Sequence, residues 1–255
     1  LDARLVAVGY RLASANTPFC KEKARNPGWV LHGIAQYEDA ETARVAFGFD
    51  YDSISIAALV PDGPAAKAGV QLGDDITNLR DSRWDKRMHV LPRPDKEEAE
   101  LFRQTLAEKW VRELPVEIGF SNAGGTRSFI FTPPPVCASD FWVDTRTKLD
   151  AGADGDRVRV TSAMMDYVAD DNELSAVVAH ELAHNLLQHR KLLDGLKRGK
   201  TKATLATEVE ADRLSVWLMA NSGYDPKAAL RFWERYGKQH GLGIFTAGTH
   251  HRWKK

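Results

Sequence analysis

His180-Glu181-Leu182-Ala183-His184 decides how this chain reads. On a helix, positions i and i+4 lie above one another on one face. His180 and His184 can therefore aim an imidazole nitrogen at one zinc ion, and Glu181 stands beside them to take a proton from an attacking water. The surroundings favour a helix. Asp170-Asp171-Asn172 offers an N-cap, Glu173 adds negative charge in the first turn, and Leu174, Val177, Val178, Leu182, Leu186 and Leu187 recur at helical spacing. The competing reading, two histidines filling an apolar core, requires a partner for every buried polar atom.

Catalytic zinc keeps three protein ligands and one open position. The third candidate lies in Glu208-Val209-Glu210-Ala211-Asp212, which opens a helical pattern through Leu214, Val216, Trp217, Leu218 and Met219 that stops at Gly223. Glu208 and Asp212 are i, i+4 partners and share a face, whereas Glu210 falls on roughly the other side. Alone, such a stretch reads as an acidic first turn complementing the helix dipole. Beside the two histidines it completes a His-His-Glu site for one zinc per chain. A continued helix would turn His189 about 140° away from His184, which reads as a surface residue or one behind the ligands.

These two motifs resemble those of the HtpX/BepA-like zinc metallopeptidases, relatives of the CAAX prenyl proteases, whose signature is HExxH and then ExxxD on a later helix. Val158-Arg159-Val160-Thr161-Ser162-Ala163-Met164-Met165 resembles the strand-then-helix segment that precedes the family's active-site helix. Gly223-Tyr224-Asp225-Pro226 and the aromatic stretch 228–236 resemble its next segment. Thr249-His250 resembles a Thr-His-Pro motif, with His251 where proline is usual. The resemblance spans about residues 140–255. It implies an α+β fold, with a mainly helical gluzincin-type metallopeptidase domain carrying a small sheet. It also implies His180, His184 and Glu208 as zinc ligands, Glu181 as general base, Asp212 as auxiliary acid or ligand orienter, and a catalytic place for His250. His250, His251 and Arg213 stay open as donors to the oxyanion. The implied activity is hydrolysis of peptide bonds in unfolded or extended proteins, as in envelope protein quality control.

Residues 44–132 have a different character, with short strands, tight turns and one amphipathic helix. Residues 55–60 read as a strand, Pro61-Asp62-Gly63-Pro64 as a turn, residues 65–68 as a short helix ended by Gly69, and Gly73-Asp74-Asp75-Ile76 as the start of another strand. Residues 96–111 form a helix with Ala99, Phe102, Leu106 and Trp110 on one face, and strands 116–120 and 127–131 flank the turn Asn122-Ala123-Gly124-Gly125. The run from Val60 to Asp74 resembles PDZ domains of bacterial proteases, which are small β-sandwiches or barrels with two helices. The resemblance implies a carboxylate-binding loop at Ala46-Phe47-Gly48-Phe49. It also implies a groove for a C-terminal peptide between a strand starting near Phe49 and helix 96–111. Residues 80–94, with Trp84, read as a long loop of that domain.

The expected organisation is an N-terminal helical segment 1–43, a PDZ domain 44–133 and a metallopeptidase domain 134–255. Leu5, Val6, Val8, Gly9 and Leu12 recur at near-helical spacing, and this first helix is expected to pack on the peptidase domain, making the PDZ domain an insertion. Residues 30–41 read as a second helix or an irregular linker, and Thr132-Pro133-Pro134-Pro135 as a stiff exit from the insertion. Strand 157–161, with alternating arginine and valine, reads as either a substrate-holding edge or an ordinary sheet strand.

Composition excludes other classes. Lysine and arginine together number 35, as do aspartate and glutamate, so charge gives no case for nucleic acid. The basic run 191–202, with Gly195 and Gly199, reads as a solvated loop between the two zinc-site helices. No apolar run approaches the roughly 20 residues of a membrane-spanning helix. A start at Leu1 fits a mature or trimmed product. Cys20 and Cys137 allow one disulfide in an oxidising compartment or two buried thiols in a reducing one. The resemblance implies the former, in a periplasmic or otherwise exported protein, with membrane association open. The rival to an endopeptidase is a PDZ-based, chaperone-like protein that is non-catalytic or latent, its zinc plugged by His250 or His251. Glu181 argues against a purely structural site, which has no use for a base.

Overall fold

The computed structural model describes residues 1–48, 54–81, 87–89, 96–112, 115–197 and 199–240. In chain order, helix α1 (Asp2–Ala15) leads to strands β1 (Lys23–Arg25) and β2 (Trp29–Gly33), helix α2 (Ala40–Phe47), strand β3 (Ile54–Leu59) and helix α3 (Pro64–Ala68). Strands β4 (Asp75–Asp81) and β5 (Arg87–His89), helix α4 (Lys96–Val111), hairpin β6 (Val116–Asn122) and β7 (Gly125–Phe131), and strand β8 (Pro135–Cys137) follow. The last part holds β9 (Asp140–Asp144), β10 (Ala151–Ala153), β11 (Arg157–Thr161) and helices α5 (Ser162–Tyr167), α6 (Asp171–Leu186), α7 (His189–Asp194), α8 (Lys200–Asn221) and α9 (Lys227–His240). The architecture is mixed α+β, and no helix among the described residues is long and apolar enough to cross a membrane.

The chain divides into two compact units, one of residues 3–23 and 136–255 and one of residues 24–135. The second is thus an insertion in the sequence of the first. Cys20 and Cys137 form a disulfide, with their Cα atoms 5.4 Å apart, where the chain leaves the first unit and returns to it. Strands β1 and β8 pair at the same place.

In the first unit, Leu5, Val8 and Leu12 of α1 join one apolar core with Leu174, Val177, Val178 and Leu182 of α6, Leu218 and Met219 of α8, and Phe232 of α9. Each such side chain, once fully buried, stabilises by about 1.5–3 kcal/mol. Helix α6 packs against α8, α9, β10 and β11. The three-stranded sheet has the order β10-β11-β9, with β11 parallel to β9 and antiparallel to β10. Strand 157–161 is therefore the middle of its sheet, which rules out the edge reading. Val158 and Val160 are fully buried on its inward face, and the end of the sheet that packs on α6 is β10. The basic run 191–202 is also corrected. It is helical in α7 and from Lys200 onward, as its lysines and leucines favour, with the glycines confined to the break between helices.

In the second unit, antiparallel strands run in the order β2-β3-β4-β6-β7, with β5 also on β4. Phe102, Leu106 and Trp110 of α4 pack with Trp29, Ile54, Ile56, Ile118 and Phe120. Residues 29–33 are a strand rather than the expected helix or linker, because β2 is captured by antiparallel pairing with β3. Residues 24–43 group with this compact unit, β2 through its pairing with β3. The expected carboxylate loop is likewise corrected. Ala46 and Phe47 close the last turn of α2, and Gly48 caps that helix in the left-handed conformation (φ 73°), which glycine adopts without strain. Helix α4 lies beside β2, with the rings of Trp29 and Trp110 6.4 Å apart, and the start of the strand expected near Phe49 lies outside the described residues. Phe49 itself and the 82–86 and 90–94 parts of the expected loop, Trp84 included, lie outside the described residues.

Candidate metal centre

Helix α6 starts where the cap residues dictate. The Asp170 side chain accepts a hydrogen bond from the Glu173 backbone N–H at 2.9 Å. Glu173 does more than add charge to the first turn: buried, it accepts from Ala169 N at 2.9 Å and from both Nη atoms of Arg235 on α9 at 2.6 Å. Farther along, Asn185 donates to Ser139 Oγ at 3.0 Å and accepts from Gly155 N at 2.8 Å, tying the helix to the turns beside the sheet. The helix carrying the histidines is thus held near both ends.

One turn apart on that helix, His180 and His184 bring their Nε2 atoms to 3.2 Å. Helix α8 supplies the third group. Glu208 Oε2 lies 3.3 Å from His180 Nε2, and Glu208 Oε1 lies 3.6 Å from His184 Nε2. In a tetrahedral site with bonds of about 2.0–2.1 Å, ligand atoms stand roughly 3.3–3.4 Å apart. The separations lie near that value, those to Glu208 being taken from its two different oxygens, so two imidazoles and a carboxylate fit zinc in number and kind. Among the described residues, this is the one group of three or more His, Cys, Asp or Glu side chains with metal-holding geometry.

Asp212, one turn beyond Glu208, places Oδ1 3.0 Å from His180 Nδ1. Glu181 is buried beside the histidines. Burial alone would lower the pKa of His180, but Asp212, Glu208 and Glu181 outweigh it and raise the pKa to about 10. Three carboxylates around one imidazole make a place that favours a cation. The indole of Trp233 on α9 stands edge-on to His180, with ring centroids 6.2 Å apart, and forms an apolar wall.

His189 is not a surface residue: it is 2% exposed, with Nδ1 3.0 Å from His184 Nδ1 and Nε2 3.2 Å from Glu210 Oε2. Burial and the neighbouring His184 hold its pKa below the usual histidine range. Gln188, between α6 and α7, adopts a left-handed backbone (φ 55°), which costs a non-glycine residue about 1–2 kcal/mol. That turn brings His189 back towards His184, and no residue type near 188 announces it. Glu210, read as facing away, reaches this pair. Arg213 lies exposed on α8, and His250 and His251 lie outside the described residues.

Residues 141–207 match the model of peptidase family M48, whose members are zinc-dependent metallopeptidases. The matched stretch contains His180, Glu181 and His184 and ends one residue short of Glu208. Glu208 as a candidate third ligand therefore rests on the geometry above. Among solved structures, a PDZ domain of HtrA3 bound to a phage-derived ligand (FGRWV) is similar at 18% identity and a TM-score of 0.32. The alignment covers 45% of this chain and 90% of that one. No curated protein matches the chain.

Proposed function

We propose that the chain is a zinc-dependent endopeptidase acting on unfolded or extended protein segments, in envelope protein quality control. The observation that carries this reading is the convergence of His180, His184 and Glu208, their ligand atoms all within 4.8 Å of one another, with buried Glu181 beside them. When bound, zinc supplies Lewis acidity to the scissile carbonyl and acidifies water at the site. The Glu181 carboxylate takes the proton of the water that adds to the carbonyl carbon, and returns it to the amide nitrogen as the C–N bond breaks. Asp212, at the far nitrogen of His180, holds that ring and its tautomer. Strand β10, at the end of its sheet and against α6, offers its backbone to an extended substrate, which would pair with it as an added strand. The inserted unit works as a PDZ-type module that holds a substrate's C-terminal peptide or regulates cleavage. Export to an oxidising compartment such as the periplasm is supported by the Cys20–Cys137 disulfide.

Zinc content and cleavage of an unfolded model protein, before and after chelation, test this reading together. The expected result is one zinc per chain, loss of cleavage on chelation, and recovery on adding zinc back. A zinc-loaded protein that cleaves no unfolded chain would move the assignment to the chaperone-like alternative.

A further inference from the structure

We propose that His189 and Glu210 form a two-link hydrogen-bond chain that positions the ring of His184, an inference that rests on the metal reading above. A metal held at His184 Nε2 leaves that ring's proton on Nδ1, where it needs an acceptor. The group 3.0 Å away is Nδ1 of His189. To accept, that nitrogen must carry the lone pair, which puts the His189 proton on Nε2, 3.2 Å from Glu210 Oε2. Every link then has one donor and one acceptor, ending on a carboxylate. The reverse assignment fails twice. It would put the His184 proton on Nε2, where the metal binds, and turn a lone pair of His189 towards a carboxylate.

The two histidine ligands are therefore backed differently. His180 meets the carboxylate of Asp212 directly at 3.0 Å, whereas His184 meets one through an intervening imidazole. The Glu210 side chain is 61% exposed and screened by solvent, so its charge reaches His184 weakened, and orientation is the larger part of what the chain provides. The left-handed turn at Gln188 places the His189 ring at 2% exposure, where water does not compete for the link to His184.

Zinc dissociation constants, measured by competition with a chelating dye, test the chain. His189→Leu removes the acceptor and should weaken zinc about 10–100-fold. His189→Asn, which returns an acceptor oxygen near the Nδ1 position, should recover most of that loss. Glu210→Ala should weaken zinc less than His189→Leu does, and should add nothing in the His189→Leu background, because the two act as one unit. Wild-type affinity in His189→Leu, equal loss in the Leu and Asn variants, or additive losses would each overturn the chain. Should His189→Leu fail to fold, wild-type affinity in Glu210→Ala overturns it alone. A wild type that takes up no zinc overturns the metal reading and this chain with it. A wild type that binds zinc while the variants match it overturns the chain only.

Discussion

Asp212 Oδ1 lies 3.0 Å from Nδ1 of His180, on the side of the ring opposite the nitrogen that faces Glu208. Helix α8 thus holds one imidazole at both nitrogens with carboxylates one turn apart. The inner carboxylate is a ligand candidate, and we propose that the outer one orients the ring. Asp212→Asn keeps the size but removes the charge, and should weaken zinc about 10–100-fold. Chelator competition measures this, and wild-type affinity in the Asp212→Asn variant would mean that Asp212 serves only the surface of α8.

Glu181→Gln should lower hydrolysis of an unfolded protein by at least about 10²-fold while zinc content stays near one per chain, because it removes a proton acceptor and no ligand. Metal analysis and an assay on the same preparation decide it. Retained cleavage would remove Glu181 from the reaction, and lost zinc would make it part of the binding site.

The pKa of His180, raised to about 10 from an ordinary histidine value of 6.5, gives a sign that can be checked. A group whose pKa is higher in the folded state stabilises fully below its unfolded value, and that contribution is lost as pH rises through the folded value. Metal-free protein should therefore lose stability from about pH 6.5 upward, whereas the zinc-loaded form, whose imidazole is neutral like that of the unfolded chain above that pH, loses none of it. The melting-temperature gap between the two forms, measured in zinc-buffered and chelator-containing solutions, should widen between about pH 6 and pH 9. A constant gap would mean that no proton competes with zinc at His180.

Gly9 on α1 lies against Phe141 of β9, and a Cβ placed there would stand 2.3 Å from the ring's Cγ. Alanine is favoured over glycine within a helix by about 1 kcal/mol. The ring is buried and has no flexible end to move aside, so overpacking wins. Gly9→Ala should destabilise the protein by about 1–3 kcal/mol, read as a lower urea midpoint. An unchanged or higher midpoint would show that Phe141 can shift.

The site is legible in the sequence as far as local geometry carries. His180 with His184, and Glu208 with Asp212, are helix-spaced pairs, and a regular 3.6-residue period aligns each pair without knowledge of the rest. For His189 the same period leaves a surface place and one behind the ligands both open, and the left-handed residue Gln188 brings the ring to the second. The period of two along Arg157–Thr161 marks a strand but not its neighbours. Only long-range pairing shows that β9 and β10 flank it. Residues 29–33 were obscure for the same reason: their strand state comes from β3, beyond α2 in the chain.

The disulfide between Cys20 and Cys137 spans 117 positions and encloses the whole inserted unit, residues 24–135. In covalent terms the insertion is a ring with a locked clasp. A protease that nicks the ring once, anywhere within it, leaves the two fragments joined, with α1 still linked to the segment that carries the histidines. Such a nicked molecule would migrate as two pieces only after reduction. The clasp also makes the ring excisable by design: its two ends are already tied within 5.4 Å between Cα atoms, a gap that a short turn can bridge.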